Sequence, residues 1–203
     1  HAALVERKLD NVLLCGWSMG ALVCYALIER HGAELVDRFV AIDMSPKVLN
    51  APDWPNGTLN GLDAALNAHV LENMVADWPK LPGRIALRLF AGDADPDPAL
   101  VDFARTQISA GDPRILREMW ASLTAQDFRR LLKAFPVPLH LAAGLKSQLY
   151  GVGVHDWHRA NVPDFHLHGF AASGHAPHLD APPALRGPGP DLPEEAPHLL
   201  RVP

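Results

Sequence analysis

The sequence predicts an α/β fold: a parallel sheet of about four strands, interrupted by a helical cap insertion. Three observations predict this class. Short apolar runs that end in glycine or at a polar turn suit strands that are buried on both faces. The first two runs flank a segment with helical spacing, which implies parallel strands joined by a right-handed crossover. A long middle stretch keeps apolar helical patterns, broken by prolines, which favours a helical insertion over further sheet.

Each predicted element follows from its local pattern. Residues 1–10 have the pattern of the end of a helix, and NVLLCG at 11–16 is the first strand. Helical spacing then runs from Ser18 to about His31, where Gly32 supplies a stop. The later elements are predicted at 38–42 (strand), 137–143 (strand), 148–160 (helix) and 165–170 (strand).

These elements divide the chain into three parts. Residues 1–46 and 136–181 form the predicted core, and residues 47–135 form the helical insertion. Residues 182–203 hold seven of the 19 prolines, which disfavours an amphipathic helix there. We therefore predict that this tail is disordered.

Composition excludes several classes of function. Lys and Arg number 18 against 23 Asp and Glu, a net charge of −5 without a basic stripe. This argues against nucleic acid or an anionic membrane as partner, and no run of about 18 apolar residues exists to span a membrane. Two cysteines, Cys15 and Cys24, cannot form a disulfide framework. We interpret them as small core residues and expect a cytoplasmic protein.

A serine motif joins the first strand to the first helix: Gly16-Trp17-Ser18-Met19-Gly20. A serine on a sharp strand-to-helix turn projects its hydroxyl above the sheet, and we expect both flanking glycines to leave room for that turn. The helix N-terminus places a positive dipole end behind the serine, and the Met19 N–H points to where an oxyanion would form. The pattern predicts Ser18 as a nucleophile; the alternative is a tight turn with an inert serine.

A matching base follows the last strand. Ser173-Gly174-His175 lies in a glycine-flanked loop at the sheet edge that also carries Ser18. Histidine is the side chain whose pKa suits removal of a serine proton near neutrality. We predict His175 as general base, with a surface histidine as the alternative, and interpret His178 as a helix-start residue.

The sequence resembles the small-esterase branch of the α/β-hydrolase fold superfamily in four segments, which follow in this order: LLCGWSMGALVCYALIERHG, VAIDMSP, LAAGLKSQLY and SGHAPHLDAP. The resemblance covers residues 10 to about 182 and implies acyl transfer to serine followed by hydrolysis, without a cofactor. Esterase activity is favoured, and the Trp- and Leu-rich insertion suggests an apolar acyl pocket, so we expect a small apolar acyl ester as substrate. Lactonase, thioesterase and cofactor-free haloperoxidase activities on the same fold remain open.

The usual acid position of this family reads Gly144-Leu145-Lys146-Ser147, with serine where aspartate is expected. A subgroup of similar esterases instead places the acid after the preceding strand, which maps to Asp43, and keeps a serine at the Ser147 position. The resemblance thus implies that Asp43 orients His175 and that Ser147 adds a supporting hydrogen bond. The alternative for Asp43 is a cap of the turn at Ser45-Pro46, and Asp93, Asp95 and Asp156 are weaker candidates for the acid.

Only 17 residues precede Ser18, whereas the family has four strands before this point. We therefore expect N-terminal strands and a second oxyanion donor to be missing. The expected consequences are an exposed sheet edge that favours self-association and a poor or inactive catalyst.

A metal-binding hydrolase is the remote alternative. His155 and His158, His166 and His168, and His175 and His178 crowd the C-terminal third, and three of them could bind zinc. No acidic metal-binding motif accompanies them, so we predict no metal site.

Overall fold

The structure is a computed structural model that describes residues 1–181. The prediction for the tail, residues 182–203, lies outside the described residues. The four strands are β1 (Val12–Trp17), β2 (Val36–Ile42), β3 (Leu139–Gly144) and β4 (Phe165–Phe170). They form one sheet in the order β1-β2-β3-β4, and all neighbours are parallel. The predicted fold class is confirmed.

The helices connect and flank these strands. Their bounds are α1 Ala2–Glu6, α2 Met19–His31, α3 Ala64–Asp77, α4 Leu81–Arg88, α5 Pro98–Ser109, α6 Pro113–Thr124, α7 Arg129–Leu132, α8 Val152–Asn161 and α9 Pro177–Asp180, with a 3₁₀ turn at Trp78–Lys80. Helices α2 and α8 contribute to the core on one face of the sheet, where Tyr25 meets Phe39 edge to face with ring centroids 5.1 Å apart.

Between β2 and β3, the regular elements α3 to α7 are all helical, and a non-helical stretch with an isolated bridge between Ala51 and Trp54 precedes them. Two of the prolines between β2 and β3 begin helices. Asp97 and Asp112 cap the N-termini of α5 and α6, each accepting a backbone N–H at 2.8 Å, and proline follows at the first helical position. Proline is tolerated there because that N–H has no intrahelical partner.

Strand β1 is the edge of the described sheet, where it pairs with β2 alone. The interpretation of Cys15 as a core residue is wrong: this cysteine is exposed, and its neighbours Leu13 and Leu14 are only partly buried. An apolar strand pattern predicts burial only where neighbouring elements cover the strand, and the outer edge of β1 pairs with no further strand within residues 1–181.

The carboxyl ends of the four parallel strands lie at one edge of the sheet. The loops that leave this edge carry Ser18, Asp43, Ser147 and His175, which the sequence spreads over more than 150 positions. None of the described helices is both long and apolar enough to span a bilayer.

Candidate active site

Ser18 lies at the turn between β1 and α2 with φ 51° and ψ −121°. A non-glycine residue at positive φ is strained, and such strain clusters at functional sites. Its backbone N–H donates to Ile42 O at 3.1 Å, which ties the turn to β2. Gly16 is required by space, since a Cβ there would lie 2.6 Å from Ala21 N. The same expectation for Gly20 is wrong, because a Cβ at Gly20 would meet nothing within 4 Å.

Met19 is the first residue of α2, and its backbone N–H has no hydrogen-bond acceptor among residues 1–181. The first N–H groups of a helix lack intrahelical acceptors, and the helix dipole makes this end favourable for negative charge. The Met19 N–H, next to Ser18, is therefore able to donate a hydrogen bond to an oxyanion.

Asp43 follows β2 at φ 41° and is 1% exposed. Its carboxylate accepts three hydrogen bonds. Oδ2 accepts from His175 Nδ1 at 2.7 Å and from Ser147 Oγ at 2.7 Å, while Oδ1 accepts from the Gly144 N–H at 3.2 Å. A carboxylate with three donors is well satisfied in a buried place. Asp43 does not cap the Ser45-Pro46 turn, where Ser45 Oγ instead donates to Lys47 O at 2.7 Å.

His175 is 2% exposed, and its bond to Asp43 makes Nδ1 the protonated nitrogen, because an ionised carboxylate only accepts. Nε2 is therefore the nitrogen that can accept a proton. The loop around it is closely packed, since a Cβ at Gly144 would lie 1.7 Å from Gly174 O. Among the described residues, Ser18 Oγ and His175 Nε2 are not hydrogen-bonded within 3.5 Å. Catalytic contacts of this kind are often loose in unliganded enzymes.

Two of the three weaker acid candidates lie in other ion pairs, and the third, Asp95, is exposed and has no ion pair or side-chain hydrogen bond among the described residues. Asp93 pairs with Lys146 at the surface, and Asp156 pairs with Arg159 at 2.6 Å on α8. The Lys146 hydrogen bond lowers the pKa of the exposed Asp93 carboxyl. None of the three carboxylates is hydrogen-bonded to His175, so the structure brings Asp43 alone of these candidates to the imidazole.

Sequence reasoning missed two residues that hold the His175 loop. Trp17 Nε1 donates to His175 O at 2.8 Å, and Asp180 Oδ2 accepts from the Gly174 N–H at 2.9 Å. Burial raises the pKa of the Asp180 carboxyl above its usual value. Both residues stand in motifs that the sequence analysis singled out, Trp17 in the serine motif and Asp180 in SGHAPHLD. Neither motif predicts the backbone group to which the side chain is hydrogen-bonded.

The remaining histidines form no metal centre in the described structure. His140 Nδ1 lies 3.0 Å from His168 Nε2, and the His140 ring stacks on His166 with centroids 4.6 Å apart. Burial, followed by the charges of His166 and His168, lowers the pKa of His140 to about 4. No group of three or more His, Cys, Asp or Glu side chains suited to a metal ion occurs within residues 1–181.

A cavity of about 460 Å³ lies along the outer face of α2. Its lining follows α2 from Met19, the residue after Ser18, and includes residues of α6 and the following loop: Met119, Ser122, Leu123, Gln126 and Phe128. Arg30 and His31 lie at the other end of α2. The cavity therefore lies between α2, which begins next to the candidate nucleophile, and a face of the helical segment that carries both apolar and polar side chains.

Comparison with known proteins places this arrangement in a family. The sequence profile described as "Alpha/beta hydrolase family" matches residues 1–186. The chain belongs to this family. The predicted superfamily is thereby confirmed.

Curated relatives carry esterase names. The chain is 28% identical over 191 residues to a pimeloyl-[acyl-carrier protein] methyl ester esterase of Aromatoleum aromaticum, covering 89% of the chain and 73% of that protein. It is 27% identical to the same-named protein of Nitrosomonas europaea, covering 88% and 70%. The family and these names indicate a hydrolase.

Solved structures share the fold. An esterase from Exiguobacterium antarcticum superposes with a TM-score of 0.80 at 20% identity, covering 90% of the chain and 66% of that structure. A bromoperoxidase from Bacillus anthracis gives 0.79 at 19% identity, covering 90% and 67%. The chain thus spans about two-thirds of the length of each of these structures.

Proposed function

We propose that this α/β hydrolase is a serine esterase that cleaves carboxylic esters, with Ser18 as nucleophile, His175 as general base and Asp43 as the carboxylate that orients it. The observation that carries the proposal is the 2.7 Å hydrogen bond from His175 Nδ1 to Asp43 Oδ2, at the sheet edge where Ser18 occupies a strained turn. Three distant segments converge there, and each supplies the residue type that acyl transfer needs.

The proposed mechanism uses the groups that have no hydrogen-bond partner among the described residues, His175 Nε2 and the Met19 N–H. As Ser18 Oγ attacks the ester carbonyl carbon, His175 Nε2 takes the hydroxyl proton and the carbonyl oxygen becomes an oxyanion. Asp43 stabilises the imidazolium through Nδ1, and the Met19 N–H donates to the oxyanion. His175 then returns the proton to the leaving alcohol oxygen, which leaves an acyl group on Ser18. Water, activated by the same imidazole, hydrolyses that acyl-enzyme and restores the serine.

We place the acyl group of the substrate toward the cavity that begins at Met19. On the side of α6 and the following loop, the apolar side chains of Met119, Leu123 and Phe128 line it beside the polar Ser122 and Gln126. Burial of apolar surface stabilises a bound hydrocarbon chain by roughly 25 cal/mol per Å². The proposed substrate is accordingly an ester with an apolar acyl chain.

The test is hydrolysis of p-nitrophenyl esters of increasing acyl length, beside lactones and acyl thioesters, by the chain and by its Ser18→Ala variant. We expect esters to be cleaved faster than lactones or thioesters, and the variant to lose that activity. Equal hydrolysis by the unmodified chain and Ser18→Ala would contradict the proposal. A preference for lactones or thioesters would keep the nucleophile and reassign the substrate.

A further inference from the structure

Trp17 lies in the middle of the serine motif, but its side chain reaches the loop of the general base. The indole Nε1–H donates to the backbone carbonyl of His175 at 2.8 Å, across 158 positions of sequence. Since Trp17 is bonded directly to Ser18, one side chain joins the backbone of the nucleophile to the backbone of the base. No other side chain of the described residues donates to this carbonyl.

The neighbouring backbone groups of the His175 loop are also held. The Gly174 N–H donates to Asp180 Oδ2, and the Ala176 N–H donates to Leu89 O, both at 2.9 Å. These bonds fix the loop to α9 and to the end of α4, whereas the Trp17 bond alone fixes it to the turn that carries Ser18. Asp43 holds the imidazole at Nδ1, but a ring held at one nitrogen still moves with its own backbone.

The indole ring is itself fixed by its surroundings. It lies between His175, with centroids 5.5 Å apart, and His178, which it meets edge to face at 4.6 Å. Burial, followed by the nearby His175, lowers the pKa of His178, the ring that the indole meets edge to face. Trp17 also packs against two separate apolar clusters, one on the sheet and one around the end of α4.

From these contacts we infer that Trp17 is a positioning residue for the reaction proposed above, on which this inference rests. Its indole N–H sets where the His175 backbone lies relative to Ser18, and thereby the approach of Nε2 to Oγ. Trp17 contributes no group to the reacting atoms. A displacement of about 1 Å between reacting groups can reduce the rate on the order of 100-fold, so loss of this bond should reduce kcat and leave substrate binding nearly unchanged.

Two replacements at Trp17 test the role of the N–H. Trp17→Phe removes the donor and part of the ring, and replacement by benzothienylalanine changes only the N–H to sulfur. Trp120→Phe is the matched control, because Trp120 Nε1 donates to Asn67 Oδ1 at 2.8 Å between α6 and α3. The readouts are kcat and KM for p-nitrophenyl acetate and the NMR signal of the His175 Nδ1 proton.

For both Trp17 replacements we expect kcat to fall roughly 10- to 100-fold, KM to change less than about twofold, and the His175 Nδ1 proton signal to broaden. Trp120→Phe should leave all three unchanged. The inference is overturned if benzothienylalanine retains both kcat and the sharp proton signal, or if KM rises instead of kcat falling. Ester hydrolysis that Ser18→Ala retains in full would overturn the proposed function instead, and the proton signal would still decide whether Trp17 holds His175.

Discussion

Asp43→Asn is the substitution that most sharply separates the proposed triad from a structural carboxylate. Asn tolerates the positive φ of this position nearly as well as Asp, so the backbone need not change. The amide, however, cannot satisfy all three donors. With its NH₂ toward His175 and Ser147, donors face donors, and with the NH₂ on the other side it faces the Gly144 N–H.

The expected loss of kcat in Asp43→Asn follows from the change of the His175 tautomer. In the first orientation His175 must present an unprotonated Nδ1 to the amide, which puts its proton on Nε2 and leaves no acceptor for the Ser18 hydroxyl. Loss of the correct tautomer costs about 10⁴ in kcat in serine hydrolysis, or about 5 kcal/mol of barrier. In either orientation a buried donor is left unpaired, which costs about 1–3 kcal/mol of unfolding free energy.

The assay measures kcat for a p-nitrophenyl ester and the free energy of unfolding in urea. Asp93→Asn is the control, since Asp93 is exposed and pairs with Lys146 at the surface. We expect Asp93→Asn to retain the activity of the unmodified chain. The reasoning is refuted if Asp43→Asn keeps more than a tenth of that activity, or if Asp93→Asn loses as much.

Four further predictions concern separate parts of the molecule. Ser147→Ala removes one of the two hydrogen-bond donors to Asp43 Oδ2 and should lower kcat on the same ester about tenfold. This loss is much smaller than the one expected for Asp43→Asn, and an equal loss would make Ser147 essential. Burial lowers the pKa of His158 to about 4, below the value near 6.5 in the unfolded chain. Between these two pH values the unfolded chain binds more protons than the folded chain. The free energy of unfolding therefore falls as the pH drops from 6.5 to 4. His158→Leu should reduce the pH dependence of the free energy of unfolding in urea between pH 4 and 6.5, while His140 retains its own share, and an unchanged slope would exclude His158 as a source. The edge of β1, unpaired within residues 1–181, should make the chain self-associate, as measured by light scattering under reducing conditions, and a monodisperse monomer would contradict this. Leu13→Lys should reduce the self-association, whereas Val23→Lys, at an exposed position of α2, should not. Met119→Trp, which fills the cavity, should reduce activity on long acyl esters more than on acetate, and an even loss would remove the cavity as the acyl site.

Much of the fold was predictable from local patterns. The strand at 165–170 has the predicted bounds, and the other strands shift by one or two residues. The turn at Ser18 is predicted by three patterns that are adjacent in sequence, namely a strand, the serine motif and a helix. These features depend on neighbouring residues, which is why a single sequence suffices for them.

Features that depend on tertiary neighbours were less accessible. The exposure of Cys15 depends on what covers β1, which its own apolar pattern does not record. The open space at Gly20 and the bond from Trp17 to the His175 carbonyl likewise depend on where distant loops pass. The position of Asp43 beside His175 was expected from family resemblance alone, because Ser147 stands where the usual acid would be.

The most direct test of the account is covalent labelling of Ser18 by a fluorophosphonate, followed by peptide mass spectrometry. The reagent reacts with a serine hydroxyl that a nearby base activates, so it reports the Ser18–His175 pair without requiring knowledge of the natural ester. We predict one adduct per chain, located on Ser18, absent in Ser18→Ala and formed at least about 100 times more slowly in His175→Ala. An adduct on another residue, or labelling of Ser18 at the same rate without His175, would contradict the central claim.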